Sequence, residues 1–233
     1  MATFVLVHGS WHDGNAWKRV VAHLEQQGHT AFAPTIAGHG KGVNKQVSHA
    51  QCTQSIVDFI VTNHLTDFVL VGHSFGGTII TKVAGVIPER IRRLVFYDAF
   101  VLKDGGCVMD DSPPFIRALF EASTSPDRSA LLPFPVWREA FINDANLEMA
   151  QWSYKQLSPE PYQPFIDRLD MKKFYSLHIP ASYLNCTEDI GAFHPTMSTR
   201  LGLFRLLQMP GSHEVIFSNP IGLADKLIEA GRD

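Results

Sequence analysis

The chain has 233 residues, 45% hydrophobic and 18% charged, with a formal net charge of −3. That length and composition suit one folded domain (1–233) with a sizeable core, and exclude a disordered chain. No basic block is longer than Arg92-Arg93, so neither nucleic acid nor an anionic membrane surface is expected as a partner.

The first hundred residues alternate buried strands with amphipathic helices. Thr3-Phe4-Val5-Leu6-Val7 reads as a strand ending at His8-Gly9. Nothing before it has the charged and apolar regions of a signal peptide, and no apolar run approaches the roughly 20 residues that span a bilayer. Cytoplasm is therefore the expected location. Trp17, Val20, Val21 and Leu24 recur at helical spacing, and Gly28 stands where a glycine ends a helix. His29-Thr30-Ala31-Phe32-Ala33 is a short strand stopped by Pro34. A second helix runs through Cys52, Ile56, Phe59 and Ile60. The apolar run Phe68-Val69-Leu70-Val71 then leads into Gly72-His73-Ser74-Phe75-Gly76, a further helix and the strand Leu94-Val95-Phe96-Tyr97. Continuous apolar strands separated by helices predict a mainly parallel sheet covered on both faces.

Residues 100–179 break the pattern. They are rich in proline and in aromatic residues such as Phe115, Phe141, Trp152 and Phe165, and contain no convincing buried strand. An insertion of this kind predicts a mostly helical cap over the strand ends. The α/β pattern returns with Ala181-Ser182-Tyr183-Leu184-Asn185-Cys186 and a last strand, Leu203-Phe204-Arg205-Leu206-Leu207, giving about six strands. Asn219 as N-cap and Pro220 at the first helical position open the closing helix. Three scattered cysteines (Cys52, Cys107, Cys186) form neither a disulfide framework nor a paired metal motif.

Strand, Gly-x-Ser-x-Gly and helix, in that order, describe a nucleophile elbow with Ser74 at its tip. A serine hydroxyl attacks only when a base takes its proton, so a histidine oriented by a carboxylate must lie within reach. Among eleven histidines, His213 after the last strand is best placed. Two aspartates compete for the acid: Asp98 at the end of the strand that follows the serine helix, and Asp189 three residues after Cys186. The N–H groups of Phe75 and Ser10 are the expected oxyanion donors. Trp11, His12, His73, Trp137 and Trp152 are candidates for the substrate pocket. His8, His12, His39 and His73 match no metal-binding spacing, and neither metal nor cofactor is expected.

Phe4 to His12 with Trp17, the Gly72 elbow, Tyr97-Asp98-Ala99-Phe100, Tyr183-Leu184-Asn185-Cys186-Thr187 and Gly211-Ser212-His213 together resemble the α/β-hydrolase superfamily. More narrowly, the chain is similar to the group of plant methyl-ester esterases, plant hydroxynitrile lyases and bacterial esterase-like proteins. The resemblance implies a serine esterase acting on a small apolar or aromatic ester, with the oligomeric state open between monomer and homodimer. Plant members carry the acid at the position of Asp189, whereas many bacterial relatives have an Asp-Ala-Phe run like Asp98-Ala99-Phe100. Because Ile190-Gly191-Ala192-Phe193 departs from the plant pattern, Asp98 is the preferred acid and Asp189 its rival. The group's lyases place threonine at Gly9 and lysine at Glu214, so cyanohydrin cleavage is not expected. Two alternatives remain: a cofactor-free dioxygenase or lyase with a His/Asp dyad, and a non-catalytic small-molecule receptor.

Overall fold

The computed structural model describes residues 1–190 and 194–232; Gly191, Ala192 and Phe193, part of the departure from the plant pattern, lie outside the described residues. Six parallel strands form one sheet: β1 (Thr3–Val7), β2 (Thr30–Phe32), β3 (Phe68–His73), β4 (Ile91–Tyr97), β5 (Ala181–Cys186) and β6 (Arg205–Met209), in the order β2-β1-β3-β4-β5-β6. The central β3 is buried along its whole length, as expected for an apolar run with helices on both faces. Its register aligns Leu6 with Val71 and Leu70 with Leu94.

Helix α1 (Lys18–Gln26) joins β1 to β2, α2 (His49–Thr62) joins β2 to β3, and α3 (Gly76–Val86) joins β3 to β4. The strand order runs one way from β1 to β2 and the other way from β3 onward. Right-handed crossovers therefore put α1 on one face and α2 with α3 on the other. Consistent with this, α1 packs against the C-terminal helix Pro220–Ala230, and α2 packs against α3. Ser48 caps α2 by accepting from the Gln51 N–H, and Asn219 caps the C-terminal helix by accepting from the Gly222 N–H. The reversal creates a crevice between the carboxyl ends of β1 and β3, the place where open α/β sheets bind ligands.

The last strand begins two residues later than the sequence suggests. Leu203 and Leu206 are 97% and 56% exposed, so the apolar run 203–207 does not mark one buried segment. Gly202, with φ of 73°, turns the chain before it, and β6 pairs from Arg205 opposite Ser182. On this edge strand the buried residues are Leu207 and Met209.

Between β4 and β5 the cap consists of short helices, among them Pro114–Glu121, Phe134–Val136, Trp137–Phe141 and Leu147–Tyr154. Pro114 occupies a first-turn position, where its missing N–H costs nothing. One isolated antiparallel bridge joins Ala130 to Glu160. Fully buried Phe120 and Trp137 hold the cap together, and the Phe165 ring stacks on Phe75 at 5.7 Å, joining the cap to the elbow.

Candidate active site

Only Ser74 and Phe75 separate β3 from α3, so the chain must reverse sharply. Ser74 takes φ of 51°, a left-handed conformation that a serine adopts only under constraint. The constraint comes from β4: the Ser74 N–H donates to the Tyr97 carbonyl at 3.1 Å, and the Ser74 carbonyl accepts from the Phe100 N–H at 3.0 Å. A Cβ on Gly72 would lie 2.6 Å from the Gly76 carbonyl oxygen, and one on Gly76 would lie 2.7 Å from that of Val7. The two glycines flanking the serine are thus required by close backbone approach.

His213 is placed by its own backbone. Its carbonyl accepts from the Tyr97 hydroxyl at 2.8 Å and from His73 Nε2 at 3.1 Å. The Glu214 N–H ties the same loop to the cap through the Phe141 carbonyl. The His213 Nδ1 lies 3.0 Å from Asp189 Oδ2, with both side chains buried. When Nδ1–H donates to this carboxylate, the other ring nitrogen carries a lone pair free to act as a base. Burial lowers the His213 pKa, but the charges of Asp189, Glu214 and Asp98 outweigh it, and the net effect raises it to about 9.

The carboxylate in contact with His213 is therefore Asp189, not the preferred Asp98. Asp98 lies in the same buried cluster, its carboxylate within 4.8 Å of the Asp189 and His213 ligand atoms, but it serves the sheet. Its N–H donates to the Leu184 carbonyl and its Oδ1 accepts from the Cys186 N–H, both at 2.9 Å. Burial, then the Asp189 charge, push the Asp98 pKa up to about 8. The physical reason for the exchange is the path of the chain after β5. The Thr187 and Glu188 N–H groups donate to the carbonyls of Met209 and Gly211, which binds the Asp189 loop to the loop carrying His213.

Ser10 and Phe75 stand on either side of the crevice, Phe75 at the N-terminus of α3, where the first N–H groups have no partner within the helix. A Cβ on Gly9 would lie 2.9 Å from His73 Nδ1 and 3.0 Å from Ser74 Cβ, so glycine at this position lets the loop after β1 lie directly against the serine. Trp11 (φ 64°), Ser74 (φ 51°) and Asp98 (φ 38°) are left-handed non-glycine residues just past the ends of β1, β3 and β4. Strain of this kind collects at functional sites.

A cavity of about 250 Å³ opens above Ser74, with Ser10, Trp11, Asp189 and His213 also on its wall. Its apolar surface comes from Phe100, Phe115, Ile116, Phe141, Phe165 and Ile190. Of the five expected pocket residues, only Trp11 lies on this wall. His73 is buried beneath, its ring 4.8 Å from that of His213. His12 is paired with Glu214, Nε2 to Oε2 at 3.0 Å, and Trp137 packs edge-on against His12. Trp152, 44% exposed, lines a separate outer cavity with His12 and Phe217. Phe115, Phe141 and Phe165 were legible as cap aromatics, but only tertiary packing distinguishes them from Phe120 and Trp137, which hold the cap together.

Two groups among the described residues bring possible metal-ligand atoms within 4.8 Å of one another: His12, His73 and Glu214, and Asp98, Asp189 and His213. In each, a histidine already shares a hydrogen bond with a carboxylate. His8 accepts from the Ile36 N–H, and His39 meets Glu160. Each of His8, His12, His39 and His73 thus has a hydrogen-bond partner within the protein.

An extracellular α/β-hydrolase from a Paenibacillus species, described as sharing structural and functional homology with tobacco salicylic acid binding protein 2, is 43% identical to the chain, with a TM-score of 0.94 and full coverage of both chains. A carbendazim-hydrolyzing esterase of Nocardioides sp. is 39% identical over 127 residues, 52% of each chain. Methylesterase 2 of Arabidopsis thaliana is 27% identical over 209 residues, 80% of this chain and 78% of the relative. The chain spans about half the length of several curated relatives it matches. The sequence profile of the alpha/beta hydrolase family matches residues 4–225, and the chain belongs to that family.

Proposed function

We propose that the protein is a serine carboxylesterase acting on a small apolar or aromatic ester, with Ser74, His213 and Asp189 as its triad. One observation carries the reading. The elbow serine and a histidine whose Nδ1 faces a buried carboxylate open into the same largely apolar cavity. His213 removes the Ser74 proton as the hydroxyl oxygen attacks the ester carbonyl, and the N–H groups of Ser10 and Phe75 hold the oxyanion. As the tetrahedral intermediate collapses, the imidazolium gives its proton to the leaving alcohol, which leaves an acyl-serine. Water, deprotonated by the same ring, then releases the acid and restores the serine.

The cavity wall supports this substrate class. Apart from Asp189 and His213, the described residues of its wall include no charged side chain. An uncharged, compact acyl group fits, and relatives named as methylesterases favour a small alcohol such as methanol as leaving group. Asp189 on the Nδ1 side of His213 speaks for the triad over a His213/Asp98 dyad, and so for hydrolysis over cofactor-free dioxygenation. A His213–Asp189 pair on the same cavity as the elbow serine likewise speaks against a pure receptor.

No described helix is long and apolar enough to cross a membrane. We keep the cytoplasm as the proposed compartment, on three buried free cysteines, although the Paenibacillus relative is described as extracellular. Fractionation of the producing cells tests that point. The test of function is a panel of methyl and p-nitrophenyl esters with wild type and Ser74→Ala. Turnover must be present in the first and lost in the second. Equal turnover in both, or oxygen uptake with a hydroxyquinolone and no ester cleavage, contradicts the proposal.

A further inference from the structure

Glu160 is a cap carboxylate with no solvent exposure. Its backbone is fixed by the bridge to Ala130, with N–H to carbonyl bonds of 2.9 and 3.1 Å in the two directions. Its Oε2 accepts from the Trp11 N–H at 2.6 Å, and its Oε1 lies 3.0 Å from His39 Nε2. The other His39 nitrogen, Nδ1, lies 3.0 Å from the Ala37 carbonyl oxygen, so both ring nitrogens meet oxygens. The remaining polar groups of Trp11 are also held by the cap: its carbonyl accepts from the Ser158 N–H at 2.8 Å, and its Nε1 donates to the Ala130 carbonyl at 3.0 Å.

We propose that Glu160 is a positioning residue for the oxyanion hole, holding the Ser10–Trp11 peptide and with it the Ser10 Cα from which the preceding Gly9–Ser10 peptide presents the Ser10 N–H to the developing negative charge; this inference rests on the esterase reading above. Trp11 has a left-handed φ of 64°, which a bulky residue keeps only when its surroundings over-determine it. A buried carboxylate oxygen supplies the missing determinant. It accepts the Trp11 N–H, and it repels a carbonyl oxygen, so a peptide flip that turned the Ser10 carbonyl toward Glu160 is disfavoured. The same pair reaches the other donor. The His39 ring stacks on that of Phe75 at 5.7 Å with planes 26° apart, so Glu160 and His39 together hold Trp11, which follows one donor, and Phe75, which is the other. A buried acid is costly to keep, and packing alone would be met equally well by an apolar side chain of the same length. Positioning explains why an acceptor stands here.

The test uses Glu160→Met, which keeps length and volume but has no acceptor for the Trp11 N–H, and Glu160→Gln, whose amide oxygen accepts from Trp11 while its NH2 faces His39. Steady-state ester hydrolysis, inhibition by a trifluoromethyl ketone that forms a tetrahedral adduct, and thermal unfolding are measured for each. E160M is expected to lower kcat about 10²-fold with KM changed less than about threefold, and to weaken the ketone by the same factor. E160Q is expected to stay within about fivefold of wild type on all three. If E160M does not fold, Glu160→Asp replaces it. That variant draws the carboxylate back by one methylene and must show the same kcat-only loss, smaller in size. Wild-type kcat in E160M or E160D, or a loss confined to KM with ketone inhibition unchanged, overturns the inference. Failure of the esterase reading is a separate result, read from Ser74→Ala in the otherwise wild-type enzyme.

Discussion

Replacing Asp189 with asparagine separates the two candidate acids. The perturbation is small in shape and large in charge: Oδ2, 3.0 Å from His213 Nδ1, gives way to an amide. During acyl transfer His213 becomes an imidazolium. Opposite unit charges about 4 Å apart attract by about 4 kcal/mol at an effective dielectric of about 20. At about 1.4 kcal/mol per decade, that is about three decades of rate. Asparagine adds a second penalty when its NH2 faces Nδ1, because the ring proton must then sit on Nε2, where the serine needs a base. Asp189→Asn is therefore expected to lose about 10³- to 10⁴-fold in kcat/KM, and Asp98→Asn less than about fivefold. The assay is p-nitrophenyl ester hydrolysis across about pH 5 to 10, with circular dichroism to verify folding. In wild type, activity needs neutral His213, whose pKa is raised to about 9, so the rate rises with pH past the usual imidazole value of 6.5. Loss of activity in Asp98→Asn together with retention in Asp189→Asn refutes the assignment.

Other outcomes follow from the same geometry. The Asp98 pKa rises from 3.8 to about 8 on folding, so the folded state holds that proton more tightly; the resulting stabilisation is complete below 3.8 and lost as pH climbs toward about 8. His213 acts in the same sense between 6.5 and about 9. The thermal stability of wild type should therefore fall toward alkaline pH, and Asp98→Asn should flatten that decline; parallel curves for the two proteins contradict this. Gly9→Thr drives a Cβ to 2.9 Å from His73 Nδ1 and should lower kcat about 10²-fold by displacing the serine, which steady-state kinetics on the folded variant measures. Ile116→Trp fills part of the cavity and should raise KM about tenfold for a benzoate ester while sparing an acetate ester.

The elements that positioned the site were legible because their signals are local. Gly72, Ser74 and Gly76 sit between an unbroken apolar strand and a helix, and backbone contact forces that spacing. His213 could be picked out because it follows the last strand in a fold whose loops converge at one edge. Which aspartate meets His213 was not legible for the same reason in reverse. Asp98 and Asp189 both end core strands, and the choice depends on which backbone N–H groups reach each carboxylate. Cys186 N–H takes Asp98, and the loop bonds to Met209 and Gly211 bring Asp189 to the histidine. The cap was legible as helical but not residue by residue. Trp137 and Phe141 are four apart on neighbouring turns, yet one is fully buried in the cap and the other lines the cavity. Glu160 gave no signal at all, because its partners Trp11 and His39 lie more than a hundred residues away in sequence.

The most direct test of the central claim is the acyl-enzyme itself. Wild type mixed with excess p-nitrophenyl acetate and quenched within the first turnover should gain one acetyl group, found by intact-mass and peptide analysis on Ser74, and Ser74→Ala should gain none. Ester turnover without any adduct on Ser74, or turnover retained in Ser74→Ala, would contradict the account.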